Sequence, residues 1–266
     1  MNRIGIFPDI SHDEYHGIEA VSNSYLSRLN KCPAAAKIKQ EETPAMIFGS
    51  AFHSLLLEGV WAFENRFAVV PEGIDKRTKA GKESWQAFTE ANIGRELISK
   101  DDYDKMSEMA SAVAYHPFAA KVLSEGRSEM SVFWEDKDTG LYCKCRPDRI
   151  PDGDHGVIVD VKTTTSARKQ DFVNTVVRYN YYRQASFYVD GYNTVTNCNV
   201  DAFIFIAVEK EPPYMVGCFA LSDVDIDYGR LRYRALIIKE KEYRDKDFYP
   251  HYEDEGLIEI NLPSWA

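Results

Sequence analysis

Between Gly126 and Thr164 the chain reads as three strand-like runs, SEMSVFWE, LYCKCRPDRI and VIVDVKTT, joined by the turn segments DKDTG and PDGDHG. Short apolar and β-branched runs punctuated by Gly, Pro and Asp predict an antiparallel meander. A helical stretch follows from about Ala167 to Tyr192. Then come VDAFIFIAVE and YMVGCFAL, two more strands, and an amphipathic helix from about Asp225 to Tyr243. This order predicts an α/β fold: a central mixed β-sheet flanked by helices, with a helical crossover joining the third strand to the fourth.

The first half is helical. Ser22 or Ser24 can cap a helix carrying Leu26 and Leu29, which breaks near Cys32 and Pro33. A second helix is expected from about Pro44 to Glu58, with Pro44 in the tolerated first turn and Gly59 at its end. Further helices fill the span from about Trp85 to Val122. No Pro/Gly/Ser-rich linker or repeat interrupts the sequence, so one domain over residues 1–266 is expected. It would have a helical part over about 1–125, a sheet core over about 126–221 and a C-terminal helix. The longest apolar runs, such as AFIFIAV, are strand-sized, and the start lacks a basic segment followed by an apolar one. A cytoplasmic protein with no membrane partner is the expectation. Five cysteines without framework spacing, Cys143 and Cys145 sharing one strand face, predict buried free thiols.

The meander also carries chemistry. Asp148 lies near the end of its second strand and Asp160 near the end of its third, so hairpin pairing can bring the two carboxylates together. Lys162 shares the face of Asp160 because strand side chains repeat with period two. Two hard oxygen donors beside an ammonium suit a divalent cation that activates water against a phosphodiester. A [D/E]-x-K triplet alone means little, since roughly one or two occur by chance in a chain of ordinary composition. Glu135-Asp136-Lys137 is such a decoy, placed in a turn where solvated charges are expected. Asp160-Val161-Lys162 differs because VIV precedes it.

Two further features are ambiguous alone. Gln184 and Tyr188, spaced i and i+4, project from one helix face, and His53 stands on the apolar helix AMIFGSAFHSLLLEG. Each fits core packing as well as a site. The net charge of −10 argues against nucleic acid, yet basic residues cluster at Lys76, Arg77, Lys79 and Lys82, at Lys144, Arg146 and Arg149, and from Arg168 and Lys169 through Arg178 to Arg183. A local basic groove is compatible with an acidic total.

Taken in order, His53, Pro147-Asp148, Asp160-x-Lys162 and Gln184-x-x-x-Tyr188 resemble the PD-(D/E)xK nuclease superfamily, in the branch of RecB-type domains and lambda-type exonucleases. More narrowly, AMIFGSAFHSLLLE, CRPDRI, VDVKTT and YRQASFYVDGY resemble the nuclease domain of RecE, the exonuclease VIII family of prophages, over roughly Ser22 to Leu221. The resemblance implies a restriction-endonuclease-like core and a Mg2+- or Mn2+-dependent 5′-to-3′ exonuclease on double-stranded DNA, acting in phage-type homologous recombination. Asp148 and Asp160 would bind the metal, with the Val161 carbonyl and His53 completing its shell. Lys162 would be the catalytic lysine, with Gln184 and Tyr188 orienting it or touching phosphate, and Glu129 would correspond to an auxiliary acid. Implied partners are duplex DNA ends, a single-strand annealing recombination protein and further copies in a ring-like homo-oligomer. One related branch binds an iron–sulfur cluster through clustered C-terminal cysteines; this chain has no such group, so no cluster is expected. The alternatives are a silent DNA-end-binding module and an endonuclease of the same fold. The intact Asp148, Asp160 and Lys162 favour an enzyme, and no appended recognition domain speaks for base reading.

Overall fold

A computed structural model describes residues 3–38, 41–151, 156–196, 198–252 and 256–264. The N-terminal part comprises β1 (Gly5–Phe7), α1 (His12–Gly17), α2 (Asn23–Lys31), α3 (Pro44–His53), α4 (Val60–Arg66), β2 (Phe67–Val69), α5 (Lys79–Ala91), β3 (Glu96–Ile98), α6 (Lys100–Tyr115) and α7 (Pro117–Ser124). The remainder is β4 (Arg127–Ser128), β5 (Ser131–Glu135), β6 (Tyr142–Cys145), β7 (Arg149–Ile150), β8 (Val157–Thr164), α8 (Lys169–Arg178), α9 (Tyr181–Val195), β9 (Ala202–Glu209), β10 (Val216–Ala220) and α10 (Asp223–Lys246). Ser22 caps α2 through its hydroxyl, and Pro44 occupies the first turn of α3 behind the Thr43 cap. The helix expected to run on to Glu58 changes pitch at Ser54, where a single π-helical turn, Ser54–Glu58, takes over.

The central sheet has five strands in the order β10-β9-β8-β7-β4. β8 and β9 are parallel, joined by the crossover α8–α9 as the sequence predicts, and the other pairs are antiparallel. Both faces are buried. Ile158, Phe203, Phe205 and Ala207 pack with Phe172 and Phe187 on one side, and Val159, Val161, Ile206 and Val208 with Phe52, Phe63 and Met106 on the other. Burial on both faces explains why β8 and β9 read as nearly continuous apolar runs.

The expected meander is divided between two sheets. SEMSVFWE contributes β4 to the central sheet and β5 to a second sheet of order β1-β5-β6; LYCKCRPDRI likewise splits into β6 and β7. The breaks face each other. Glu129 has φ +52 and donates its N–H to the Asp148 carbonyl at 3.2 Å, while Pro147 beside it has no N–H to donate. A left-handed residue opposite a proline cannot continue a ladder. The long helix expected from Ala167 breaks for a similar reason: Asn180, at φ +55, turns α8 into α9. The pair β2–β3 and strand β1 were not legible as strands. Most of the turn PDGDHG, residues 152–155, lies outside the described residues.

α10 lies on α9 at close range. A Cβ on Gly229 would stand 2.3 Å from Ser186 Oγ and from the Tyr182 carbonyl, so only glycine fits. Glu240, buried on α10, accepts from Tyr25 Oη at 2.8 Å, Arg244 Nε at 2.6 Å and Tyr249 Oη at 3.1 Å, tying α10 to α2. Cysteines 32, 143, 145, 198 and 218 are all free, the first three buried. Among the described residues no helix is long and apolar enough to cross a membrane.

Candidate active site

β8 is eight residues long, but its neighbour β7 has two. Arg149 pairs with Val159, and beyond that point the edge of β8 is open. The backbone of Val161 faces this open edge. Its N–H donates to Asp148 Oδ2 at 2.7 Å, and its carbonyl lies 2.9 Å from His53 Nε2. A carbonyl only accepts, so Nε2 carries the proton in this arrangement, and Nδ1 stands 3.6 Å from Asp148 Oδ2. Side chains thus occupy the places that a longer β7 would fill.

Glu129 completes a cluster with them. One ligand atom from each of His53, Glu129 and Asp148 lies within 4.8 Å of the others. His53 is the last residue of α3, at the junction with the π-helical turn, a local irregularity that re-aims side chains. Glu129 is placed by its left-handed backbone, with Arg146 Nε donating to its carbonyl at 2.9 Å and lying 3.7 Å from its carboxylate. Burial, then the charge of Asp148, pushes the Glu129 carboxyl well above its usual range.

Asp160 stands beside this cluster, fully buried on the α9 side of β8. Gln184 Nε2 donates to its Oδ1 at 2.7 Å. Lys162 Nζ is 2.6 Å from Oδ2 but off the line of a hydrogen bond, so that oxygen has a charge partner without an aligned donor. Burial and then Asp148 push the Asp160 carboxyl up to about 6, against the pull of Lys162. For Lys162 burial alone would lower the pKa, but Asp160 and Asp148 together outweigh it and the ammonium stays charged.

The aromatic ring nearest the lysine was missed in the sequence. Lys162 lies over Tyr181, 4.8 Å from the ring centroid. Tyr181 precedes Gln184 by three residues and shares its helix face, the one signal that could have found it. Tyr188 instead packs edge-on to Phe203 at 6.3 Å, its hydroxyl kept protonated by burial, within the fields of Asp160 and Asp148. Gln184 thus holds the acid that pairs with the lysine.

The donor set suits a hard divalent cation. It offers carboxylates, one backbone carbonyl and one imidazole, and the Asp160 carboxylate, paired with Lys162, lies beside them. With Nε2–H donating to the Val161 carbonyl, the unprotonated Nδ1, 3.6 Å from Asp148 Oδ2, is the imidazole atom able to ligate a cation.

Part of the expected basic groove is structural. Lys144 is buried, donating to the carbonyls of Tyr15 at 2.6 Å and Ile18 at 2.7 Å. Arg183 is buried against Asn23 Oδ1 and Ser27 Oγ, and Arg146 donates to the Ile10 carbonyl. Arg168, Lys169 and Arg178 remain exposed. Arg66, absent from the sequence-based candidates, donates to Ser50 Oγ at 2.9 Å, one turn before His53.

The PDDEXK-like domain of unknown function DUF3799 matches residues 22–257. No curated protein matches the chain. The crystal structure of a presumptive exonuclease from Eubacterium rectale is similar, with a TM-score of 0.63 over 96% of each chain at 13% identity. At that identity the likeness is one of fold, and it agrees with the mixed sheet and flanking helices of a restriction-endonuclease-like core. An alkaline exonuclease from Laribacter hongkongensis aligns over 64% of this chain and 87% of its own at 14% identity, with a TM-score of 0.28, too low to carry an argument.

Proposed function

The chain belongs to the PDDEXK-like domain family, and on that premise we propose that it is a Mg2+- or Mn2+-dependent nuclease of the RecE type, degrading duplex DNA from its 5′ ends in phage-type recombination. The observation that carries this reading is the cluster of His53, Glu129 and Asp148, two of which hold the Val161 backbone, with the Asp160–Lys162 pair alongside. A divalent cation held there supplies an activated water and neutralises phosphate charge. Asp148, Glu129, His53 and the Val161 carbonyl would hold it, with Asp160, next to them on β8, as a further ligand.

The remaining groups aim and screen. Lys162, kept cationic by two carboxylates, stabilises negative charge developing on the phosphate oxygens. Gln184 fixes Asp160, Asp160 fixes Lys162, and Tyr181 packs under the ammonium, so the charge sits in one place before substrate arrives. Exposed Arg168, Lys169 and Arg178 read phosphates and not bases, which predicts sequence-independent cleavage. Such digestion leaves single strands, and an annealing protein that consumes them is the partner class this activity calls for.

Incubation of linear and covalently closed circular duplex with Mg2+, Mn2+ or EDTA tests the reading. Linear DNA should be resected from 5′ ends to single strands, circles should survive, and EDTA should stop the reaction. Internal cutting of circles would make the protein an endonuclease. No cutting with either metal would leave an end-binding module.

A further inference from the structure

α10 buries one face against α9 and α2 and leaves another, strongly apolar one uncovered. Val224, Tyr228, Leu231 and Ile238 are 76%, 51%, 71% and 47% exposed, and Ala235 between them is exposed as well. Their spacing of four, three, four and three residues is a heptad seam, spanning with Glu242 roughly 27 Å of helix. The buried face is offset from it: Ile226, Gly229, Tyr233, Leu236, Ile237 and Glu240 already have partners within the chain. A helix needs only one such face to fold onto its own domain, so the second points to an intermolecular contact.

The charges flanking the seam select the occupant. Asp225 and Asp227 flank its first turn, and Lys239 and Lys241 its last. A parallel pair of α10 helices would set acids on acids and lysines on lysines. An antiparallel pair does the reverse. With Leu231 packed against Ala235 of the other copy and Tyr228 against Ile238, Asp225 comes opposite Lys239 and Asp227 opposite Lys241, each twice by symmetry. Asp225 also accepts from Ser222 Oγ at the helix cap, and Asp227 and Lys241 form exposed ion pairs with Arg230 and Asp245 of their own helix, contacts weak enough to be shared with a partner; Arg234, near the axis, is held by Asp136 and Asp138, which leaves Arg232 as the one residue facing its like. We propose that α10 is a dimerisation helix, which binds a second copy of this chain in an antiparallel, twofold pair.

Such a pair leaves the candidate active site open. α10 packs on the Tyr182 and Ser186 face of α9, whereas Gln184 reaches β8 from the other. The contact is closed by its twofold axis and does not by itself build a ring, which requires a head-to-tail surface.

Light scattering on the eluting 266-residue chain over a series of concentrations, with charge-reversed variants, tests this. The wild type should dimerise, and Leu231→Glu should weaken the pair at least roughly tenfold by burying an unpaired charge. Lys239→Glu with Lys241→Glu should give a monomer, and so should Asp225→Lys with Asp227→Lys. An equimolar mixture of these two variants should recover the dimer, and Arg232→Ala should tighten it. Circular dichroism checks that each variant is folded. A wild type that stays monomeric throughout overturns the proposal, as does an assembly of any size that Leu231→Glu leaves intact, or a mixture that fails to associate.

Discussion

Asp148 Oδ2 accepts the backbone N–H of Val161 at 2.7 Å, in the place where a carbonyl of a longer β7 would stand. One carboxylate thereby caps an open strand edge and offers a hard donor at that edge. His53 does the same for the Val161 carbonyl. The cluster is positioned by the unmet hydrogen-bonding needs of β8, so its geometry is as rigid as the central strand of the sheet.

These two roles of Asp148 can be separated. Asp148→Asn keeps an acceptor for the Val161 N–H and should keep the melting temperature while losing Mn2+ affinity. Asp148→Ala should lose both, with a stability cost of about 1–3 kcal/mol from the orphaned buried donor. Calorimetric titration and thermal melts decide it. An Asn variant that binds Mn2+ like the wild type would remove Asp148 from the ligand set.

Lys162 should act on rate and not on metal. Lys162→Ala is expected to bind Mn2+ with near wild-type affinity while hydrolysis slows by about 10²-fold or more. Asp160→Ala should instead weaken Mn2+ binding, because it removes the acceptor that lacks an aligned donor. Equal Mn2+ affinity in wild type and Asp160→Ala would confine Asp160 to holding the lysine.

Metal binding should depend on pH in a defined direction. Asp160 and Glu129 have raised pKa values in the metal-free fold, Asp160 about 6, against about 3.9 for an unfolded aspartate. The protonated form of Asp160 stabilises the fold below pH 4, and that contribution is lost as pH rises through 6; Glu129 acts in the same direction. A cation binds the ionised forms, so it should release protons. The rise in melting temperature with Mn2+ should therefore be larger at pH 8 than at pH 5. Titration in buffers of different ionisation enthalpy measures the proton count; zero release at pH 6 would refute the crowded-carboxylate account.

The basic residues divide by burial. Arg183→Leu removes the tie between α9 and α2 and should cost about 1–3 kcal/mol of stability, leaving the salt dependence of DNA binding unchanged. Alanine at Arg168, Lys169 and Arg178 should leave stability alone and flatten that salt dependence by about one unit of slope for each phosphate no longer neutralised. A salt slope that responds to Arg183 and not to the other three would reverse the assignment.

How much of this was legible follows from the range of the forces involved. Periodicity and turn chemistry are local, so the mixed sheet, the crossover between β8 and β9, the Ser22 cap and the strand placement of Asp160 and Lys162 could be read from neighbouring residues. Hairpin pairing led to the expectation that Asp148 approaches β8, but the ladder ends at Arg149–Val159 and Asp148 reaches that strand through its side chain. Glu129 and Asn180 were not legible as breaks, because a non-glycine residue enters the left-handed region only where long-range packing compensates it. That same packing moved Glu129 from the start of a strand into the cluster. Burial was equally out of reach: Lys144, Arg183 and Arg168 carry like charges in the sequence, and only the fold decides which of them finds carbonyls and which finds water. The chain by itself therefore determined which side chains could do the chemistry, through residue type and local spacing. Only the tertiary structure decided which of them meet, because the open edge of β8 that seats His53 and Asp148, and the left-handed turn that brings Glu129 to them, are created by strands and helices distant in sequence.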